Sequence, residues 1–302
     1  MADIYHTHHS LVVPLVYHDE VTGVILVDDP GEWAPFTAEE QDLIQGIAAQ
    51  AAIAIENARL YEAQKNIADQ LQLAILDLPL KVAGLEFSHL YHSATEEAIV
   101  GGDFYDVFER PDGSIILLAG DVSGHGVNAA RVATMVKASL VAFAQNGDAP
   151  GAVLEHANQL LMRKRVPGFT SVLFAVYEPS TRLLEYCSAG HPNLMLAHED
   201  GTVEVTGRNH LPLGVFPEWR CAADALEVKP GDTLLFYTDG LTEARVSGSF
   251  FGERRLSEVL SRRVGWELRD LPQALLDEAL EFSNGRLQDD VAILAVRPVE
   301  RD

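Results

Sequence analysis

A chain of 302 residues, 47% of them hydrophobic, can form one large domain or two smaller ones around a substantial core. Its formal net charge of −23, from 45 acidic against 22 basic side chains, argues against nucleic-acid and anionic-membrane partners. Cys187 and Cys221 stand without a C-x-x-C spacing, which indicates neither a thiolate zinc site nor a disulfide framework, and a start with no basic, apolar leader reads as cytoplasmic.

His6, His8 and His9 read as a solvated N-terminal segment rather than a metal site. Residues 11–17 and 21–28 are β-branched runs around a polar, Gly-containing bend, the pattern of a hairpin that is marginal alone and needs a cover. After a turn at Pro30 and Gly31, Thr37 and Glu40 form a T-x-x-E capping box, opening a helix expected to run to about Leu78 before Pro79. Ile53, Asn57, Leu60, Gln64, Ile67, Leu71, Ala74 and Leu78 alternate spacings of four and three, as a coiled-coil seam requires. The same residues also fit an amphipathic helix lying on its own domain.

From Leu85 the texture changes to short strands divided by turns, with one helical interval expected from about Asn128 to Arg165. Strand candidates are 85–92, 103–109, 114–121, 169–178, 182–188, 193–197, 233–238 and 291–296. Many strands and few helices imply an α+β fold with two stacked antiparallel sheets and helices outside.

Several aspartates sit at the tips of apolar strands: Asp103 in VGGDFYDVF, Asp121 in IILLAGDVSGHG, Asp239 in TLLFYTDGLTEA, and the pair Asp289 and Asp290 in QDDVAILAV. A carboxylate there is costly to desolvate, and several together need a counterion. All-oxygen donors favour Mn2+ or Mg2+ over zinc, and two such ions roughly 3.5–4 Å apart activate a water for attack on phosphorus. Gly101 and Gly102 would let backbone N–H groups approach the phosphate. Asp112 in RPDGS and Asp200 in EDGT read instead as ordinary turn residues.

The strings VGGDFYDVF, GDVSGHGVNAA, FTSVLFAVY, SAGHPNLML, LPLG, LLFYTDGLTEA, FGERRL and DDVAIL, in order over residues 72–297, resemble the PPM, or protein phosphatase 2C-like, family in its SpoIIE and RsbU branch. The resemblance implies a β-sandwich flanked by helices on both faces and a metal-dependent serine/threonine phosphatase. Asp121 would bridge two ions, with the Val122 carbonyl, Asp239 and Asp289 as further ligands and Asp103 on the other ion. Asp290 stands where other branches carry Asn and ranks below Asp289. His125 differs in spacing from the family's candidate acid, Ala292 replaces a usual hydroxyl residue, and no Arg lies between Arg59 and Arg110 to grip phosphate. His191 reads as structural, bonding a loop near the site. The implied substrate is a phosphorylated anti-anti-sigma-factor-like protein in a partner-switching circuit.

VPLVYHDEVTGVILVDD and FTAEEQDLIQGIAAQAAIAIENARLYE resemble the C-terminal part of a GAF domain. The expected division is residues 1–56 as a partial GAF-like segment, 57–82 as a linker helix that joins a homodimer, and 83–298 as the catalytic domain. Three alternatives carry different chemistry. They are a serine hydrolase built on Ser123, His191 and Asp239, a non-catalytic regulatory module, and a metal-dependent hydrolase of small phosphoesters.

Overall fold

The structure, a computed structural model, describes residues 9–29, 35–94, 101–208 and 210–299. His6, His8 and the turn at Pro30 and Gly31 lie outside them, as do the side chains of Gln64, Ile67, Leu71 and Ala74 in the proposed seam. Two compact units divide the chain at residues 67 and 68.

The first unit opens with strands β1 (His9–Tyr17) and β2 (Glu20–Asp29), an antiparallel hairpin followed by helix α1 (Ala38–Leu76), whose residues from Ala68 onward belong to the second unit. Its bend is His18–Asp19, both at positive φ, the geometry that matches strand twist in a two-residue loop. Gly23 is not in the bend. It lies opposite Leu15, where the register shifts and a side chain would press on that leucine. Val13 and Leu15 on one hairpin face pack on Ala48 and Ala52 of the helix. The capping box forms as expected: the Thr37 N–H donates to Glu40 Oε2 at 2.7 Å and the Glu40 N–H to Thr37 Oγ1 at 3.3 Å. The helix ends at Leu76, one turn before Pro79 and short of Leu78.

In the second unit the elements run β3 (Leu85–His92), β4 (Phe104–Glu109), β5 (Ile115–Val122), α2 (Val127–Ala144), α3 (Pro150–Lys164), β6 (Thr170–Glu178), β7 (Leu183–Ala189), β8 (Met195–Ala197) and β9 (Val203–Val205). There follow β10 (Asp224–Glu227), β11 (Thr233–Tyr237), α4 (Asp239–Thr242), β12 (Arg245–Val246), β13 (Ser249–Phe250), α5 (Gly252–Arg262), α6 (Leu271–Phe282) and β14 (Val291–Pro298). The single helical interval expected at 128–165 is two helices, because Gly147 adopts positive φ and Pro150 starts a new first turn. Helices α5 and α6 went unread in the residues, although the resemblance implied helices on both faces of the sandwich.

One antiparallel sheet has the order β10-β7-β6-β5-β4 and the other β3-β14-β11-β8-β9. The period of two along each strand builds three cores. On β5, Ile115, Leu117 and Ala119 face the second sheet, while Ile116 and Leu118 face α2 and α3. On β14, Ala292, Leu294 and Val296 face the first sheet, while Val291, Ile293 and Ala295 face α5 and α6. Strands buried on both sides therefore read as continuous apolar runs, and each fully buried Leu or Phe contributes about 1.5–3 kcal/mol. Helix α2 is long and apolar enough to cross a membrane, but its face from Ala129 to Ala144 is packed into the first of these cores.

Candidate metal centre and active site

The same period of two builds the site. Tyr105 and Val107 face the inter-sheet core, so Asp103, two residues before Tyr105, shares their side. The parity carries Asp121 beyond Ala119, Thr238 beyond Phe236, and Asp290 ahead of Ala292. Four polar residues from four strand ends thus close one edge of the apolar layer. Asp239, at the start of α4, and Asp289 are their immediate chain neighbours.

Contacts tie the edge together. Thr238 Oγ1 donates to Asp103 Oδ2 at 2.7 Å and accepts from the Ala292 N–H at 2.8 Å. Asp290 accepts from the Tyr91 hydroxyl at 2.9 Å, Ser93 Oγ at 3.1 Å and the Ala94 N–H at 2.9 Å. A Cβ on Gly101 would strike Asp290 Oδ2 and the Tyr91 hydroxyl, and one on Gly102 would strike the Val122 carbonyl oxygen. Glycine is required here by the protein's own oxygens. The Gly101 N–H turns to the Tyr91 hydroxyl.

Electrostatics register the crowding. Burial, then the charge of Asp121, push Asp103 well above the usual carboxylate range, against the bond from Thr238. Burial followed by Asp239 raises Asp121 to about 7. Asp239 rises to about 6 through burial, Glu243 and Asp289. Asp289 is raised by burial, while the N–H of Asp290 and the charge of His125 on the exposed loop after β5 work the other way. Carboxyl groups this crowded cannot all ionise together without compensating positive charge.

His191 is fully buried, and burial takes its imidazole down to about 3, so it is neutral. Its Nδ1 lies 2.9 Å from Ser171 Oγ, and the ring also bonds the Tyr237 backbone. Ser171 is the strand partner of Asp121, and Tyr237 lies two residues before Asp239. One ring therefore spans the two sheets behind two of the carboxylates. It makes no triad with Ser123, whose Oγ accepts the Phe169 N–H. Thr238, Tyr91, Ser93 and Ser171 were not singled out from sequence. Thr238 carried the one available signal, a hydroxyl directly before the strand-end aspartate.

The family model for Stage II sporulation protein E (SpoIIE) matches residues 111–299. The chain belongs to the SpoIIE family. A GAF domain model matches residues 1–57. Phosphoserine phosphatase RsbU of Bacillus subtilis (strain 168) is 24% identical over 200 residues, 66% of this chain and 59% of the relative. Protein IcfG of Synechocystis is 26% identical over 65% of this chain and 36% of its own length. The chain thus spans about half the length of these curated relatives. Among solved structures, the RsbU and RsbW domains of a Mycobacterium tuberculosis protein superpose with a TM-score of 0.63 at 26% identity, covering 75% of this chain and 64% of that one. The SiaA PP2C domain of Pseudomonas aeruginosa gives 0.61 at 22% identity, covering 83% and 98%. RsbX in complex with magnesium gives 0.54 at 17%, covering 72% and 100%, a likeness of fold.

Proposed function

We propose that this chain is a metal-dependent protein serine/threonine phosphatase, and the observation that carries the reading is the crowd of carboxyl groups with upward-shifted pKa at one edge of the inter-sheet core. Asp121, the Val122 carbonyl, Asp239 and Asp289 form one ligand group for Mn2+ or Mg2+, and Asp103 with Asp121 a second. Asp290, whose two oxygens already accept three hydrogen bonds, serves as the anchor that fixes β3 against the site rather than as a ligand. Bound divalent cations at these positions would neutralise the phosphate and lower the pKa of a water. The chain's own part is to hold the carboxylates in place through Thr238, His191 and the Asp290 bonds, and to offer the Gly102 N–H to a phosphate oxygen.

The substrate class is a phosphoserine or phosphothreonine on a small cytoplasmic regulator of the anti-anti-sigma-factor type. The name of the RsbU relative and the joined RsbU and RsbW domains in the Mycobacterium tuberculosis structure support that choice. Residues 83–298 are the catalytic domain, 1–56 a GAF remnant and 57–82 a linker, helical as far as Leu76, that pairs two copies. A contact at the end of the linker supports the division: Lys137 of α2 donates to the Ile75 carbonyl in the last turn of α1 at 2.6 Å and pairs with Asp106 of β4 at 3.4 Å.

The test is phosphate release from a phosphorylated regulator protein with Mn2+ or Mg2+, then with chelator. Metal-dependent release is expected. Equal turnover in chelator would overturn the chemistry, and release from nucleotides but not from phosphoprotein would move the substrate class to small phosphoesters.

A further inference from the structure

The chain has only two cysteines, 34 residues apart, and the fold brings them together. This corrects the expectation of no disulfide framework: Cys187 of β7 and Cys221 are joined as a disulfide. Sequence spacing could not reveal it, because the pair meets across a loop that folds back over β7. Cys187 is buried in the apolar core between the first sheet and α2 and α3, whereas Cys221 is half-buried. His210 Nδ1 lies 3.4 Å from Cys221 Sγ, and its backbone N–H is held by the Ser188 carbonyl at 3.1 Å.

Residues 210–221, the C-terminal part of the loop that this pair closes, lean on the active-site end of the first sheet. Leu213 exchanges two backbone hydrogen bonds with Thr170, at 2.8 and 3.0 Å, and Thr170 precedes Ser171, the strand partner of Asp121 and bonding partner of His191. Asn158 of α3 holds the Gly214 N–H at 2.8 Å and the Phe216 carbonyl at 2.9 Å. The Cys221 carbonyl occupies the space where Gly151 lacks a side chain, at the first turn of α3.

We propose that Cys187 and Cys221 are a reversible thiol-oxidation site whose state sets the order of residues 210–221 and, through Thr170, the support of the metal centre. Oxidation begins at the more accessible sulfur. His210 takes the Cys221 proton, and the thiolate attacks one oxygen of hydrogen peroxide, breaking the O–O bond and displacing hydroxide to give a sulfenic acid. Cys187, as thiolate, then attacks that sulfur; the S–S bond forms and the S–O bond breaks, releasing hydroxide, which is protonated to water. A dithiol reverses the change: one thiolate opens the bond at Cys221, its second thiol resolves the mixed disulfide, and two protein thiols return as the reductant becomes a disulfide.

The experiment takes the full chain reduced with a dithiol, then exposed to hydrogen peroxide, and follows thiol titration, melting temperature and amide exchange. Expected are loss of both thiols within one molecule, a rise in Tm of roughly 5–15 °C, and slower exchange at 210–221. Cys221→Ser, and separately Cys187→Ala, should abolish all three responses, so one misfolded variant leaves the other to decide. Persistence of both thiols, cross-links only between molecules, or unchanged exchange after the bond forms would overturn the proposal. So would stoichiometric zinc on Cys187, His210 and Cys221 in the reduced protein, since the three ligand atoms lie within 4.8 Å of one another. A separate arm rests on the phosphatase reading: at limiting Mn2+, the oxidised form should release phosphate roughly two- to tenfold faster, below the 10–100-fold typical of a direct ligand partner. Failure of that reading would leave both forms inactive while the thiol and exchange arms still respond.

Discussion

The turn aspartates and the strand-end aspartates are the same residue beside the same kind of neighbour, yet their surroundings drive them in opposite directions. Asp112 accepts the Ser114 N–H at 3.0 Å and its hydroxyl at 2.6 Å, and Asp200 does the same with Thr202 at 2.8 and 2.6 Å. Those hydrogen bonds hold both carboxyls below their ordinary range. Asp121 and Asp239, closing a buried layer among other acids, are pushed up. Local sequence places an aspartate in a turn; burial and like charge decide whether it stays a solvated turn residue or becomes a candidate ligand.

The largest test of that contrast is charge removal. Asp121→Asn or Asp239→Asn should cost on the order of 10³-fold or more in metal-dependent phosphate release. The same substitutions should raise the Tm of the metal-free protein at about pH 8, because each removes a carboxylate that is unfavourably ionised there. Loss of activity together with a lower metal-free Tm would contradict the assignment of these groups as a strained donor set.

Protons supply the next test. With Asp121 and Asp239 titrating near 7 and 6 in the fold and at ordinary carboxylate values when unfolded, the metal-free native state binds extra protons across that window. Their contribution to stability is fully present below the ordinary carboxylate range and lost as pH rises through about 6 to 7. Melting curves of metal-free protein should show Asp121→Asn with a flatter decline over that window than wild type. Metal competes with those protons, so calorimetric Mn2+ affinity should weaken by roughly tenfold or more from about pH 8 to about pH 6.

Smaller effects belong to the supports. His191→Asn should raise the Mn2+ concentration for half-maximal activity by roughly 10–100-fold, with kcat recovering at saturating metal. A fall in Tm with an unchanged metal requirement would make the ring a packing element only. At the bottom of the scale, Asp112→Asn should leave metal-dependent activity within about twofold of wild type, and a larger loss would erase the contrast between the two groups of acids.

The α+β sandwich was legible because two simple periodicities survive in the chain. Alternation and long apolar runs mark strands such as Ile115–Val122 and Val291–Pro298, and the Thr37–Glu40 box marks the start of α1. Helices α5 and α6 were missed in the residues because neither start is marked by a side-chain N-cap hydrogen bond. The acidic candidates were legible one at a time from their strand-end positions. Their company was not: Tyr91 and Asp290 are 199 residues apart, and Thr238 and Asp103 are 135 apart.

Sequence alone thus determined which residues end strands, which turns close on themselves, and which side chains carry oxygen donors, since each follows from neighbours within a few positions. Only the tertiary structure decided that Asp103, Asp121, Thr238 and Asp290 share one edge, that His191 bridges the sheets behind it, and that Cys187 meets Cys221. Backbone conformation is local, whereas proximity between distant segments arises from how two sheets stack and in what register.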